Sequence, residues 1–429
     1  MKKNGKIKQL VLDRSYRSYW LASTFSMTAS NILQFVLALY IFDRTGSAMI
    51  YASLLAIVFI PRLLVTPVAG VLGDRFNKLE IIIICHTIDC IVLLIYGILA
   101  FHSQGLPLYS LYFLVVILEL VEVFYQAPES AILPEIVRDD LLEEAVFLSK
   151  IDDGLVRVAS PMLAAFLYGL VGLVGSLLVT GTMFLLGLIM VMQVKVSKKD
   201  EASSDAEGRH YWRDFVEGLQ VLKKLPFIRR FLWIAPLINF SFASVFSISI
   251  TYLFLEVYQV SELVLGLYRA VTSSMVILVP IFVLPVIKKS STEDLIKRAT
   301  FVIAICLAVI AGLVYFGEEG QEELRLVSMV CIAIFDCMTI AIIMPVHMSL
   351  SVYFQRNIPE KYRSRIMSVS SLLSLASIPL GNMFYGFLAD RFPVWISVLF
   401  ASLSIGLCYI LSKCLFTNSR TRESATSNL

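Results

Sequence analysis

The chain has 429 residues, of which 58% are hydrophobic and 16% charged, with a mean hydropathy of +0.80. A soluble domain is about half apolar and about a quarter charged, so this excess excludes a water-soluble enzyme built on a single core. Gly (21), Pro (14) and Cys (7) do not fit collagen-like, disordered or disulfide-scaffold chains, and a net charge of +3 is too small to suggest nucleic acid.

A multi-spanning membrane protein remains. A bilayer core about 30 Å thick takes about 20 apolar residues per helix. The chain supplies twelve such stretches, in order 18–42, 47–69, 79–101, 107–127, 148–172, 174–195, 231–256, 262–287, 297–316, 325–349, 366–389 and 393–414. The basic opening MKKNGKIKQLVLDRSYR lacks a small-residue cleavage site and reads as an anchor flank rather than a signal peptide.

Basic residues set the orientation, because cytoplasmic loops carry the excess of Lys and Arg. With the N-terminus inside, Lys2, Lys3, Lys6, Lys8, Arg14 and Arg17 are cytoplasmic, as are Arg75 and Lys78 in the second loop. The loops holding Lys195 to Arg230, Lys288 to Arg298 and Arg356 to Arg365 carry nine, four and four more. Only Arg44, Arg325 and Arg391 fall outside, and Arg62, Arg157 and Arg269 fall within spans. Both termini are expected in the cytoplasm of a multi-pass cell-membrane protein.

The expected organisation is a six-helix half over 1–195, a cytoplasmic linker over 196–230, a second six-helix half over 231–414 and a tail over 415–429. With the two residues before it, the linker begins VKVSKKDEASSDAEGRH, a hydrated run. It continues with Trp212, Phe215, Val216, Leu219 and Leu222 on one helical face, the pattern of a helix lying on the membrane surface. A faint echo relates the halves. Tyr168-Gly169 recurs as Tyr385-Gly386, and at the same offset Glu119 meets Asp336. Two parallel repeats, an all-α membrane fold of twelve helices, are the expected architecture. The cysteines lie in or beside apolar runs with no CxxC pair, and read as buried thiols rather than metal ligands.

Between spans two and three the chain reads Gly70-Val71-Leu72-Gly73-Asp74-Arg75-Phe76-Asn77-Lys78. Gly70 permits close helix approach, and Asp74, Arg75 and Lys78 mark a charged cytoplasmic turn. At this position the run resembles the G-x-x-x-D-R-x-G-R-R/K signature of the major facilitator superfamily, and the twelve spans, two halves and long central loop extend the resemblance over the whole length. Pro128-Glu129-Ser130-Ala131-Ile132-Leu133-Pro134-Glu135-Ile136-Val137 and Ile358-Pro359-Glu360-Lys361-Tyr362-Arg363-Ser364-Arg365 resemble the drug:proton antiporter branch that contains macrolide-efflux permeases and the enterobactin exporter. There are departures. Asn77 and Leu79 replace a signature glycine and its last basic residue, span four lacks the arginine of many drug antiporters, and Leu284-Pro285-Val286-Ile287-Lys288-Lys289 has lost the Gly and Asp of the second-half loop. The resemblance implies a cytoplasmic lock in which Gly70, Asp74, Arg75 and Lys78 act with Arg363 and Arg365 at the start of span eleven, where a helix N-terminus adds positive dipole. Gly386-Phe387-Leu388-Ala389-Asp390-Arg391-Phe392 imitates the signature but ends span eleven outside. It reads as a helix terminus with an aqueous charge pair, not a second gate.

An ionised group at mid-bilayer costs about 2.5–3.5 kcal/mol, which makes such residues functional candidates. Glu119 and Glu122 lie one turn apart in span four, and Asp336 lies at mid-depth of span ten. In the superfamily, spans one, four, seven and ten line the central cavity, so the resemblance aims these acids at the substrate path, where a carboxyl in a low-dielectric site can load and release protons. The alternative is a structural role, paired with Arg62 or Arg157. Asn31, Gln34 and Asn239 offer neutral polar contacts. His86 and Asp89 share a face of peripheral span three and read as helix packing.

No HExxH, GxxxxGK[ST] or GxSxG is present, so no hydrolytic, ATP-driven or cofactor chemistry has a site. The expectation is a monomeric secondary exporter of amphipathic small molecules by proton antiport, since a proton descending 100 mV supplies about 2.3 kcal/mol. A lipid, lysolipid or siderophore translocator of the same fold, and a non-transporting membrane sensor, are the alternatives.

Overall fold

The computed structural model describes residues 2–103, 105–195, 226–320, 322–358, 366, 370 and 374–426. The regular structure of these residues is helical, with no strand among them. A short amphipathic helix α1 (Lys2–Leu12) leads into α2 (Arg14–Thr45), α3 (Ala48–Ile57), α4 (Phe59–Arg75), α5 (Lys78–His102), α6 (Leu108–Ile136) and the long α7 (Leu142–Val191). Beyond the linker come α8 (Pro226–Val257), α9 (Glu262–Lys289), α10 (Thr292–Glu319), α11 (Glu322–Asn357), α12 (Ser377–Arg391) and α13 (Val394–Thr426).

Among the described residues these helices cover the twelve expected spans, the eleventh in part. Ten stretches of the described residues are long and apolar enough to cross a membrane. One of them, α7, holds two spans. Gly172 takes φ 61° and ψ −162° inside it, a conformation that costs a residue without Cβ little, and the chain reverses there. The described part of span eleven is α12. Span two is divided: α3 and α4 meet at Val58, because Pro61 offers no N–H to the turn before it, and the next amide, Arg62 N–H, reaches Val58 O at 3.5 Å. Span seven is irregular in another way, since α8 passes through π turns at Asn239–Ala243, Val245–Ser249 and Leu253–Val257. The linker, including the amphipathic run at Trp212–Leu222, lies outside the described residues.

The chain forms two compact units. The first comprises Met1–Arg44, Ile57–Glu207 and Ser261–Ala270; the second comprises Thr45–Ala56, Gly208–Val260 and Val271–Leu429. In the first unit Tyr19, Ala22, Ile82, Ile132, Leu188, Val191 and Val194 form one buried cluster, and Leu10, Tyr16, Val137, Leu141 and Ala145 form another beneath α1. In the second unit Phe227 packs on Tyr353 and Phe416 with ring centroids 4.2 and 5.5 Å apart, and Phe384 packs on Phe400 at 4.9 Å. Large apolar side chains such as Leu64, Phe101, Tyr109 and Phe282 are exposed, as lipid-facing positions require.

Candidate functional site: an acidic column along α6

Helix α6 sets Glu119, Glu122, Gln126 and Glu129 at spacings of three and four, so they share one stripe of the helix surface. Each meets a different neighbour. Glu119 is buried and turns to α4, where Arg62 Nε donates to its Oε1 at 2.6 Å. The two partners differ in environment: the arginine side chain is 45% exposed, the glutamate 9%. A lone carboxylate at that burial would be costly, and the guanidinium relieves it. Arg62 stands one residue past Pro61, so the break in span two fixes where the guanidinium begins.

Glu122 faces α5 instead. It accepts a hydrogen bond from Gln126 Nε2 at 3.0 Å and lies within electrostatic range of Asp89. His86, on the same helix as Asp89, is not its partner. With Ser26 Oγ already donating to Ala22 O, His86 Nε2 donates to that hydroxyl oxygen at 2.7 Å, and the ring lies 5.3 Å from Tyr125.

Glu129 lies three residues past the apolar window of α6, which closes at Gln126. Burial chiefly, then the charges of Glu122 and Asp153, push its carboxyl up from 4.5 to about 7, with Lys150 opposing. Around it, Tyr19 Oη donates to Glu129 O at 3.3 Å, Thr24 Oγ1 to Asp152 at 2.7 Å, and Lys150 to Asp153 at 2.9 Å. An acidic column therefore runs through the first unit from the Arg62 pair to the C-terminal end of α6. Sequence alone does not single out Glu129 on α6 or Asp89 on the neighbouring α5. Periodicity gives a residue's face, but not the charges that a neighbouring helix brings to it.

The remaining expected residues are dispersed. Asp336 is 3% exposed in the second unit, on α11, where Thr339 Oγ1 donates to its backbone oxygen at 2.8 Å and approaches Oδ1 at 3.4 Å. Asn31 spends its amide on Met27 O within α2, at 2.7 Å. Gln34 is exposed, and Asn239 opens the first π turn of α8. Arg157 is exposed, with no hydrogen-bond or ion-pair partner among the described residues. Gly70, Asp74 and Arg75 close α4, and Arg363 and Arg365 lie outside the described residues. Lys78 begins α5 and pairs with Glu135 of α6. Asn77, in the place of the signature glycine, caps α5: its Oδ1 accepts from Leu79 N–H at 3.0 Å while its amide reaches Glu80 at 3.1 Å. No group of three His, Cys, Asp or Glu fit to hold a metal occurs among the described residues.

Comparison with known families decides the class. The family model of the Major Facilitator Superfamily matches residues 19–381. The chain belongs to that superfamily. It is a multi-pass membrane transporter for small molecules rather than an enzyme. Macrolide efflux protein A of Streptococcus pyogenes is 21% identical over 396 residues, covering 88% of this chain and 90% of that protein. Among solved structures, a bacterial homolog to the human lysosomal transporter Spinster has a TM-score of 0.71 at 12% identity, covering 94% of this chain and 97% of its own. The nucleoside transporter NupG has a TM-score of 0.70 at 11% identity, covering 93% and 98%. These two likenesses speak to the superfamily fold.

Proposed function

We propose that this superfamily member exports amphipathic small molecules of the macrolide type across the cell membrane, in exchange for protons, with both termini in the cytoplasm. The observation that carries the cargo class is the near full-length similarity to macrolide efflux protein A. The acidic column supports the coupling. Glu119 is held by an arginine that is itself half in solvent, so a proton arriving at the carboxyl releases the guanidinium, and a cationic cargo group can compete for the same oxygen. Glu122, Asp89 and Glu129 extend the acids toward the cytoplasm, and Asp336 supplies a buried carboxyl in the second unit. Asp74 with Arg363 and Arg365 forms the inner lock in this reading, and one chain with two halves works as a monomer.

The test is cargo-dependent proton flux in proteoliposomes, using a macrolide probe, with Glu119, Glu122 and Asp336 neutralised singly. Antiport requires that at least one neutral variant still binds the probe and loses the coupled flux. Undiminished probe-driven proton movement in all three rejects these acids as the coupling groups. Absence of any proton movement in the unaltered protein rejects antiport.

A further inference from the structure

The run Gly386-Phe387-Leu388-Ala389-Asp390-Arg391-Phe392 repeats Gly70-Val71-Leu72-Gly73-Asp74-Arg75-Phe76, with Gly, Leu, Asp, Arg and Phe in register. The expected aqueous charge pair is not what Asp390 makes, for no ion pair with Arg391 occurs among the described residues. Its carboxylate instead closes the N-terminus of α3. Oδ1 accepts from Ala48 N–H at 2.7 Å, and Oδ2 accepts from Ser47 Oγ–H at 2.6 Å and from Met49 N–H at 3.2 Å. The first N–H groups of a helix have no acceptor within it and carry the positive end of its dipole, so a carboxylate from another helix completes the cap.

One turn back along α12, Gly386 sets the distance. A Cβ there would lie 2.7 Å from Ala52 Cβ and 3.0 Å from both Ala48 O and Met49 Cα. The Gly-x-x-x-Asp spacing thus has two jobs on one helix face: the glycine lets the backbones approach, and the aspartate reaches the N–H groups that the approach exposes. Both α12 and residues 45–56 belong to the second unit, whereas span two from Ile57 onward belongs to the first. The break at Val58 and Pro61 separates the stretch that Asp390 holds from the stretch that carries Arg62.

We infer that Asp390 is a positioning residue of the transport cycle, the acceptor of an outer latch that clasps α3 to α12 and lets go when the outer end opens. The chemistry suits a latch better than a permanent cap. Asp390 is exposed, so water can replace each hydrogen bond as it breaks. Ser47 Oγ also accepts from Ile50 N–H at 3.2 Å, so α3 keeps a cap of its own after release. The inference uses the outside placement of this end that is proposed above.

The test is labelling of Ser53→Cys, half-buried on α3, by a membrane-impermeant maleimide added to right-side-out or inside-out vesicles, with the modified peptide read by mass spectrometry. Asp390→Ala should raise the outside labelling rate about tenfold, the equivalent of one charge-assisted hydrogen bond. Asp390→Asn, which keeps one acceptor and the same shape, should raise it less. Adding Asp74→Asn to Asp390→Ala should lower the rate again, because weakening an inner lock favours the opposite opening. Unchanged labelling in both Asp390 variants overturns the latch. A rise that Asp74→Asn does not reverse leaves the latch standing and rejects the inner lock, and labelling from the inside alone rejects the orientation. Asp390→Asn keeps the outcome decidable should the alanine variant fail to reach the membrane.

Discussion

The carboxyl of Glu129 makes stability depend on pH in a way that can be worked from its surroundings. Burial and the neighbouring charges of Glu122 and Asp153 lift it from 4.5 to about 7, and Lys150 only partly compensates. A group whose pKa is higher in the folded state binds its proton more tightly there, so folding is favoured while the proton is on. That advantage is whole below about pH 4.5 and is lost as pH rises through about 7. The shift, at about 1.4 kcal/mol per unit, amounts to about 3 kcal/mol. Glu129→Gln keeps the shape and removes the titration. In detergent-solubilised protein the variant and the unaltered chain should unfold at similar temperatures near about pH 5, and the variant should be the more stable near about pH 8, by up to about 3 kcal/mol. Lys150→Ala, which removes the opposing cation, should enlarge the gap at the upper end. A difference between Glu129→Gln and the unaltered chain that stays constant across this range would refute the argument, since it would mean the carboxyl titrates alike in both states.

Three further outcomes follow from the geometry. Arg62→Ala should destabilise more than Glu119→Gln, because it leaves the carboxyl that is 9% exposed without a partner, whereas the reverse change leaves an arginine 45% exposed to solvent. The expected losses are about 3 kcal/mol and under about 1 kcal/mol in thermal unfolding, and the opposite order would show that the pair is not what permits the burial. Gly266→Ala should cost about 1–3 kcal/mol, because its Cβ would stand 2.8 Å from Ala165 Cβ and 2.9 Å from Pro161 O; melting at the unaltered temperature would contradict the close approach. Asn77→Ala should cost about 1 kcal/mol and Asn77→Gly only a few tenths, the ranking of a side-chain cap, and equal losses would rule the cap out.

The fold was largely legible because the bilayer imposes a length and hydropathy rule that a sequence displays directly. The hydropathy pattern puts the turn between spans five and six at 172–174, and Gly172 is the residue with the broken backbone. The charged loop at Asp74 pointed to the superfamily that the family model matches. What stayed hidden depends on partners. Glu119 and Glu122 share a stripe, but only the neighbouring helices decide that one meets Arg62 while the other faces Asp89. Asn77 looked like a lost glycine and works as a cap. Pro61 was visible, yet nothing local said that its break would divide span two between units. The π turns of α8 insert backbone without altering composition, and so leave no mark in a hydropathy pattern.

The two exchanged stretches are held to their units by the same kind of surface, and this bears on which parts of the chain can move. Residues 45–56 meet α12 through Ala52 and Gly386, and residues 261–270 meet α7 through Gly266 and Ala165. Small-residue contacts bring backbones together without interlocking side chains, so parting them forces no side chain out of a socket and uncovers little apolar area. The Tyr19, Ile82, Ile132 and Leu188 cluster is the opposite case, where interdigitated side chains give a close-packed core that resists sliding. A transporter needs both: bodies that keep their shape and strips that release cheaply. On a smooth strip, specificity of closure has to come from directional polar contacts, and the Asp390 carboxylate on the first amides of α3 is such a contact. Replacing Gly386 with alanine therefore tests the strip, while replacing Asp390 tests the closure. The first should weaken both stability and latching; the second should change labelling of residue 53 with little change in melting temperature, because its hydrogen bonds pass to water.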